Sequence, residues 1–167
     1  MRNFRVEVRH LVDWSAAVYA GIIAGAIFLL VLLVAYPLAT GGTPWTIFRF
    51  MGALVLGRQV LPPPTTFDAG VVVTAVLVHF LLSILYTLVL AFIVHRWRLL
   101  ISIFGGALFG LCLYLINFFT FTTFFAWFYP ARAWPFSLLH ILFGAVAGGV
   151  YELLEKDVFV VEETAVF

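Results

Sequence analysis

His79, Asn117 and His140 are polar side chains set deep within apolar stretches of this sequence, and Ser83, Tyr86 and Tyr114 lie within two helical turns of one or another of them. Histidine is the side chain whose ordinary pKa falls nearest physiological pH, and an ionisable group at membrane depth is a functional-site candidate by default. Counted at ~1.5 Å per helical residue from the middle of each stretch, the two histidines fall ~4 to 5 Å, and Asn117 ~10 Å, toward the same side. The histidines are thus nearly level. Three chemistries suit that pair. The simplest is hydrogen bonding between helices, worth about 0.6 kcal/mol per contact. A second is bis-imidazole ligation of one b-type haem by His79 and His140, with glycines letting a porphyrin approach the backbone. A third is passage of a proton or small solute. It would need an oligomer, because no expected span holds Asp, Glu, Lys or Arg and none is broken internally by proline.

No other catalytic or metal constellation is present. HExxH, GxSxG and a glycine-rich phosphate loop are all missing, and the single Cys112 excludes an intrachain disulfide or CxxC centre. His10 lies among arginines and His95 in the basic edge His95-Arg96-Trp97-Arg98, so both are expected to be solvated. Catalytic residues and metal ligands are therefore expected to be none, and no cofactor is expected unless the haem reading holds.

The elements that position the polar set are membrane spans. With 65% hydrophobic and 10% charged residues and a mean hydropathy of +1.16, the chain lies far outside soluble composition. Apolar runs long enough to cross a ~30 Å hydrocarbon core are expected at about 14–38, 69–95, 99–121 and 135–151. The first is too long for a signal-peptide core, so a retained span is expected, with Asp13 as N-cap and Pro37 at its far end. Residues 2–9 fit a surface helix or, through Phe4, Val6 and Val8, a strand. Between the first two spans, Thr43-Pro44 is a helix start and Pro62-Pro63-Pro64 a stop. The helix so bounded, about 44–60, contains Arg49 and Arg58 and aromatic residues Trp45, Phe48 and Phe50. It is expected to be interfacial or shallowly re-entrant, either a lid over the bundle's outer mouth or a spacer lying on lipid.

Packing faces are legible too. Gly21-x-x-x-Gly25, Gly106-x-x-x-Gly110 and Gly144-x-x-x-Gly148 set small residues one turn apart. Lipid supplies no hydrophobic drive between helices, so close backbone approach must do the work. Ala75, His79, Ser83 and Tyr86 share a face of the second span, Gly106, Gly110, Leu113 and Asn117 one of the third, and Ser137, His140, Gly144, Ala147 and Tyr151 one of the fourth. Ala24–Phe28 also resembles Gly105–Phe109, the mark of a two-hairpin duplication. The expected fold is an all-α integral membrane protein, a single domain over 1–167 forming a four-transmembrane-helix bundle with the extra helix between spans one and two.

Six of the Lys and Arg residues (Arg2, Arg5, Arg9, Arg96, Arg98, Lys156) fall on one side and three (Arg49, Arg58, Arg132) on the other, which puts both termini in the cytoplasm. The acidic tail could pair with the basic amino terminus. A net charge of +1 without a basic patch argues against a nucleic-acid partner. Residues Gly21 to Ala26, Val78-His79-Phe80 and Gly105 to Gly110 resemble a family of small bacterial inner-membrane proteins with four spans, glycine-rich odd spans and a histidine in the second, which has no assigned activity. The function expected is that of a non-catalytic interaction or accessory subunit. Its partners are the lipid bilayer and either another membrane protein or further copies of itself.

Overall fold

The computed structural model describes the backbone of residues 3–9, 11–156 and 158–164 and the side chains of 11–156; His10 lies outside the described residues. Four helices are long and apolar enough to cross a membrane, Trp14–Thr40, Ala69–Val94, Leu99–Thr123 and Trp134–Leu154, which makes the chain an integral membrane protein.

Strand β1 (Asn3–Arg9) leads into helix α1 (Trp14–Thr40), followed by α2 (Pro44–Leu56), α3 (Ala69–Val94), α4 (Leu99–Leu115), α5 (Trp134–Leu154) and strand β2 (Val158–Thr164). The alternation of apolar and charged residues at 3–9 resolves as strand: β1 and β2 pair antiparallel, with Val6 opposite Val161 and Arg5 opposite Glu162. The basic and acidic ends of the sequence thus meet through their backbones. The membrane body is helical, and this strand pair is an addition to an all-α expectation.

Asp13 caps α1, its carboxylate accepting from the Ala16 N–H at 3.0 Å and the Ser15 hydroxyl at 2.6 Å. The Tyr151 hydroxyl accepts from the Asp13 N–H at 3.2 Å and donates to Glu155 at 3.0 Å, which ties the first turn of α1 to the last of α5. Pro37 does not end α1. The helix continues to Thr40, where Gly41 at φ 66° turns the chain and its N–H bonds the Pro37 carbonyl at 2.8 Å. Likewise Gly57, at φ 83°, ends α2 before the three prolines are reached, and Arg58 falls in a short 3-10 turn beyond it. Thr43 stands at the N-cap of α2, but its hydroxyl donates to the Thr65 carbonyl at 3.1 Å rather than serving the helix, whose first position is already a proline without an N–H. The third crossing changes pitch: α4 gives way at Ile116–Thr120 to a π turn and then a 3-10 turn to Thr123.

Packing runs α3, α1, α5, α4 in order, with α4 and α5 the most intimate pair and α3 and α4 meeting little beyond their connecting turn. Glycine explains the tightest contact. A Cβ on Gly106 or Gly144 would enter the other's carbonyl oxygen, one on Gly110 that of His140, and one on Gly148 that of Ser102. In each case a Cα hydrogen stands where the Cβ would be and is directed at the oxygen. Gly21 and Gly25 seat α3 instead: added carbons there would lie 2.8 Å from Ile84 Cα and 2.7 Å from Ser83 Oγ. Outward, α3 exposes Val73, Leu77, Leu81 and Leu85 at every fourth residue, and α4 exposes Phe104 and Leu108.

Two outcomes follow. Gly144→Ala is expected to cost about 1 to 3 kcal/mol of stability, because the Gly106 backbone cannot yield. Gly149→Ala, whose new carbon meets a side-chain carbon of Ile103 at 3.0 Å rather than backbone, should cost less than Gly144→Ala. Reversible unfolding in bicelles measures both. The second concerns acid. Hydrogen bonds from Ser15, foremost, and then Ala16 hold the Asp13 carboxyl below its ordinary value of 3.8. A depressed carboxylate stabilises the fold above the unfolded value, and that contribution disappears as pH falls through the folded one. Asp13→Ala should therefore flatten the decline of melting temperature below about pH 5.

Candidate functional site

The interior stripe of α3 runs Val71, Ala75, His79, Ser83, Thr87 and Leu90. Its polar members are accommodated by the smallest part of α1. The Nε2–H of His79 donates to the Gly25 carbonyl at 2.8 Å, and Ser83 packs over the same glycine. The Thr87 hydroxyl, fully buried, donates back to the Ser83 carbonyl at 2.9 Å.

His140 is placed differently. Its Nδ1–H donates to the Phe136 carbonyl one turn earlier on α5, at 2.8 Å. Its ring is enclosed by aromatic edges and faces: Phe28 at 5.1 Å between centroids, Phe118 at 5.4 Å and Tyr114 at 5.9 Å. Phe28, one turn after Gly25 on α1, also touches the His79 ring at 5.7 Å. One phenyl therefore contacts both imidazoles, and the two imidazoles make no ring contact with each other. In the neutral rings these hydrogen bonds fix the tautomers, leaving the lone pair on Nδ1 of His79 and on Nε2 of His140. Holding a haem iron through Nε2 of His79 would require the His79–Gly25 bond to be broken.

Asn117 joins neither histidine. It sits in the π turn, where its Oδ1 accepts from the Tyr86 hydroxyl at 3.0 Å, a bridge across the thinly packed side between α3 and α4. Tyr114 turns to the loop and donates to the Arg132 carbonyl at 2.7 Å. Ser137 bonds its own helix through the Trp134 carbonyl. Among the described residues, no buried side-chain nitrogen or oxygen is without a hydrogen-bond partner, and no group of three or more His, Cys, Asp or Glu is placed to hold a metal ion.

Several residues that position this site gave little notice in the sequence. Phe28 reads as one more apolar residue in a span. Arg49 and Arg132, counted above as edge charges, are backbone clamps. Arg49 is buried and donates to the carbonyls of Thr66 at 3.1 Å and Val60 at 3.1 Å, closing the connection between α2 and α3. Arg132 donates to the Phe118 carbonyl and the Thr122 hydroxyl, both at 2.6 Å, and so satisfies the π turn. It also lies 4.1 Å from the centre of the Tyr129 ring. Arginines falling among glycines, prolines and aromatics, with no acidic residue nearby, were the available signal. Glu152, expected in the tail, belongs to the last turn of α5 and accepts from Ser102 at 3.0 Å. Finally, Trp127 donates to the Phe50 carbonyl at 3.2 Å, joining α2 to the loop that precedes α5.

His79→Ala is expected to cost about 0.6 kcal/mol and at most about 1.7. Phe28→Ala, which empties the space beside both imidazoles, should cost about 3 kcal/mol or more. A double-mutant cycle in bicelles should show coupling of at least about 0.5 kcal/mol between Phe28 and His79; additive losses would mean the ring contact contributes nothing. No family model, curated protein or solved structure matches this chain.

Proposed function

We propose that this protein is a non-catalytic accessory subunit of a larger membrane complex. One observation carries the reading: the polar side chains of the spans are spent inside the chain, between its helices or back onto their own helix. His79 is committed to Gly25, His140 to Phe136, Asn117 to Tyr86 and Ser102 to Glu152. A catalyst or carrier keeps polar groups free for its substrate, whereas these four are each bonded to backbone or to another side chain. The outward faces of α3 and α4 are mostly Val, Leu, Ile and Phe, suited to lipid and to apolar helices of a partner.

The setting that fits is a bacterial inner membrane with both termini cytoplasmic. The support is the six-to-three distribution of Lys and Arg between the two ends of the bundle. In that orientation α2 lies at the outer interface, its attachment to α3 secured by Arg49 and its aromatic residues Trp45 and Phe50 at headgroup level.

Native gel electrophoresis after mild detergent extraction, with a photo-crosslinking residue at Leu81 and a control at buried Ser83, tests the reading. The expected result is one discrete complex containing a second polypeptide, cross-linked from position 81 and not from position 83. Migration only as single or multiple copies of the 18.7 kDa chain would overturn it.

A further inference from the structure

The β1–β2 pair is a two-stranded sheet, and among the described residues no third strand joins it. Such a pair is marginal in water on its own, and each of its strands offers a row of backbone N–H and C=O groups to a newcomer. We infer that the newcomer is a second copy of this chain: β1 pairs antiparallel with β1 of the second copy about Val6, giving one four-stranded sheet in the order β2, β1, β1, β2.

The sequence of β1 is self-complementary in that register. Reversing Asn3-Phe4-Arg5-Val6-Glu7-Val8-Arg9 about Val6 sets Arg5 opposite Glu7, and the two-fold axis generates the same pair again on the other side. Phe4 falls opposite Val8 and Asn3 opposite Arg9, so no like charges face one another. The free edge of β2 lacks this property. Centred on Val161 it sets Glu162 opposite Val160 and Glu163 opposite Phe159, and centred on Glu162 or Glu163 it sets that glutamate opposite its own copy.

The membrane supplies the encounter. Four crossings bring both strands of every copy to one side of the bilayer, so copies diffusing in the same membrane present β1 in the same layer. The two-fold axis of an antiparallel strand pair is perpendicular to the sheet. It coincides with the membrane normal when the sheet lies flat on the bilayer, the attitude that suits a strand alternating Phe4, Val6, Val8 with Arg5, Glu7, Arg9. This inference is independent of the accessory-subunit reading, since it concerns copies of this chain alone.

Disulfide trapping of the purified full chain in liposomes decides it, in a Cys112→Ala background because Cys112 is exposed. Val6→Cys should give a dimer under mild oxidant, its own copy lying directly opposite. Val8→Cys, displaced from its copy by four residues or ~13 Å, should not. Arg5→Glu or Glu7→Arg alone should reduce Val6→Cys trapping about fivefold. The Arg5→Glu/Glu7→Arg pair should restore it, although residue 5 still faces Glu162 within the chain. Absence of a Val6→Cys dimer, equal trapping at positions 6 and 8, or failure of the double exchange to restore trapping would each overturn the inference.

Discussion

Everything in this fold depends on how closely two backbones can approach inside lipid. Hydrocarbon surrounds the helices on every side, so burying a leucine between them gains little over leaving it in the bilayer. What remains is dispersion and weak polar contact at short range, and both require that side chains be absent. Gly106, Gly110, Gly144 and Gly148 meet that condition along α4 and α5, where carbonyl oxygens occupy positions that a methyl group would otherwise take. Once that pair is fixed, α5 presents His140 and Phe143 toward α1, and α1 in turn presents Gly21 and Gly25 to α3. Gly25 on α1 and Gly106 on α4 each seat a neighbouring helix, α3 and α5 respectively.

Polar groups then settle where these contacts leave a carbonyl within reach. A helical carbonyl already accepts one bond from the N–H four residues on, and its second lone pair is available to a donor from a neighbouring helix. His79 uses Gly25 in this way because no Cβ shields that oxygen from α3. Arg132 answers a different need: its guanidinium donates to the Phe118 carbonyl in the π turn, which the Thr122 hydroxyl also reaches. Aromatic rings occupy what space remains, and one of them, Phe28, touches both imidazoles.

The parts of the fold that follow from length and hydropathy were legible in the sequence, because hydrocarbon thickness imposes one scale on every span. The helix start at Asp13 was equally readable, since a carboxylate before an apolar run has one obvious use, and Asp68 caps α3 in the same way. Helix ends were harder. Pro37, Pro62, Pro63 and Pro64 draw the eye, yet Gly41 and Gly57 end the helices, because a residue at positive φ reverses direction whereas a proline near a helix end costs only one hydrogen bond. The polar site was legible as a list of residues and not as an arrangement. Depth counts set His79 and His140 level, but rotation about each helix axis and the placement of Phe28 are decided by neighbours the sequence does not order. Asn117 illustrates the limit: the π turn shifts the helical phase at the residue whose face was being counted.

The strand pair joins residues 3–9 to residues 158–164, the two ends of the described chain. β1 precedes all four crossings in the chain and has no partner in β2 until they have been made. Closure of the sheet therefore requires that the four helices between the strands be in place: a chain stalled before α5 leaves β1 without β2, an unpaired strand edge.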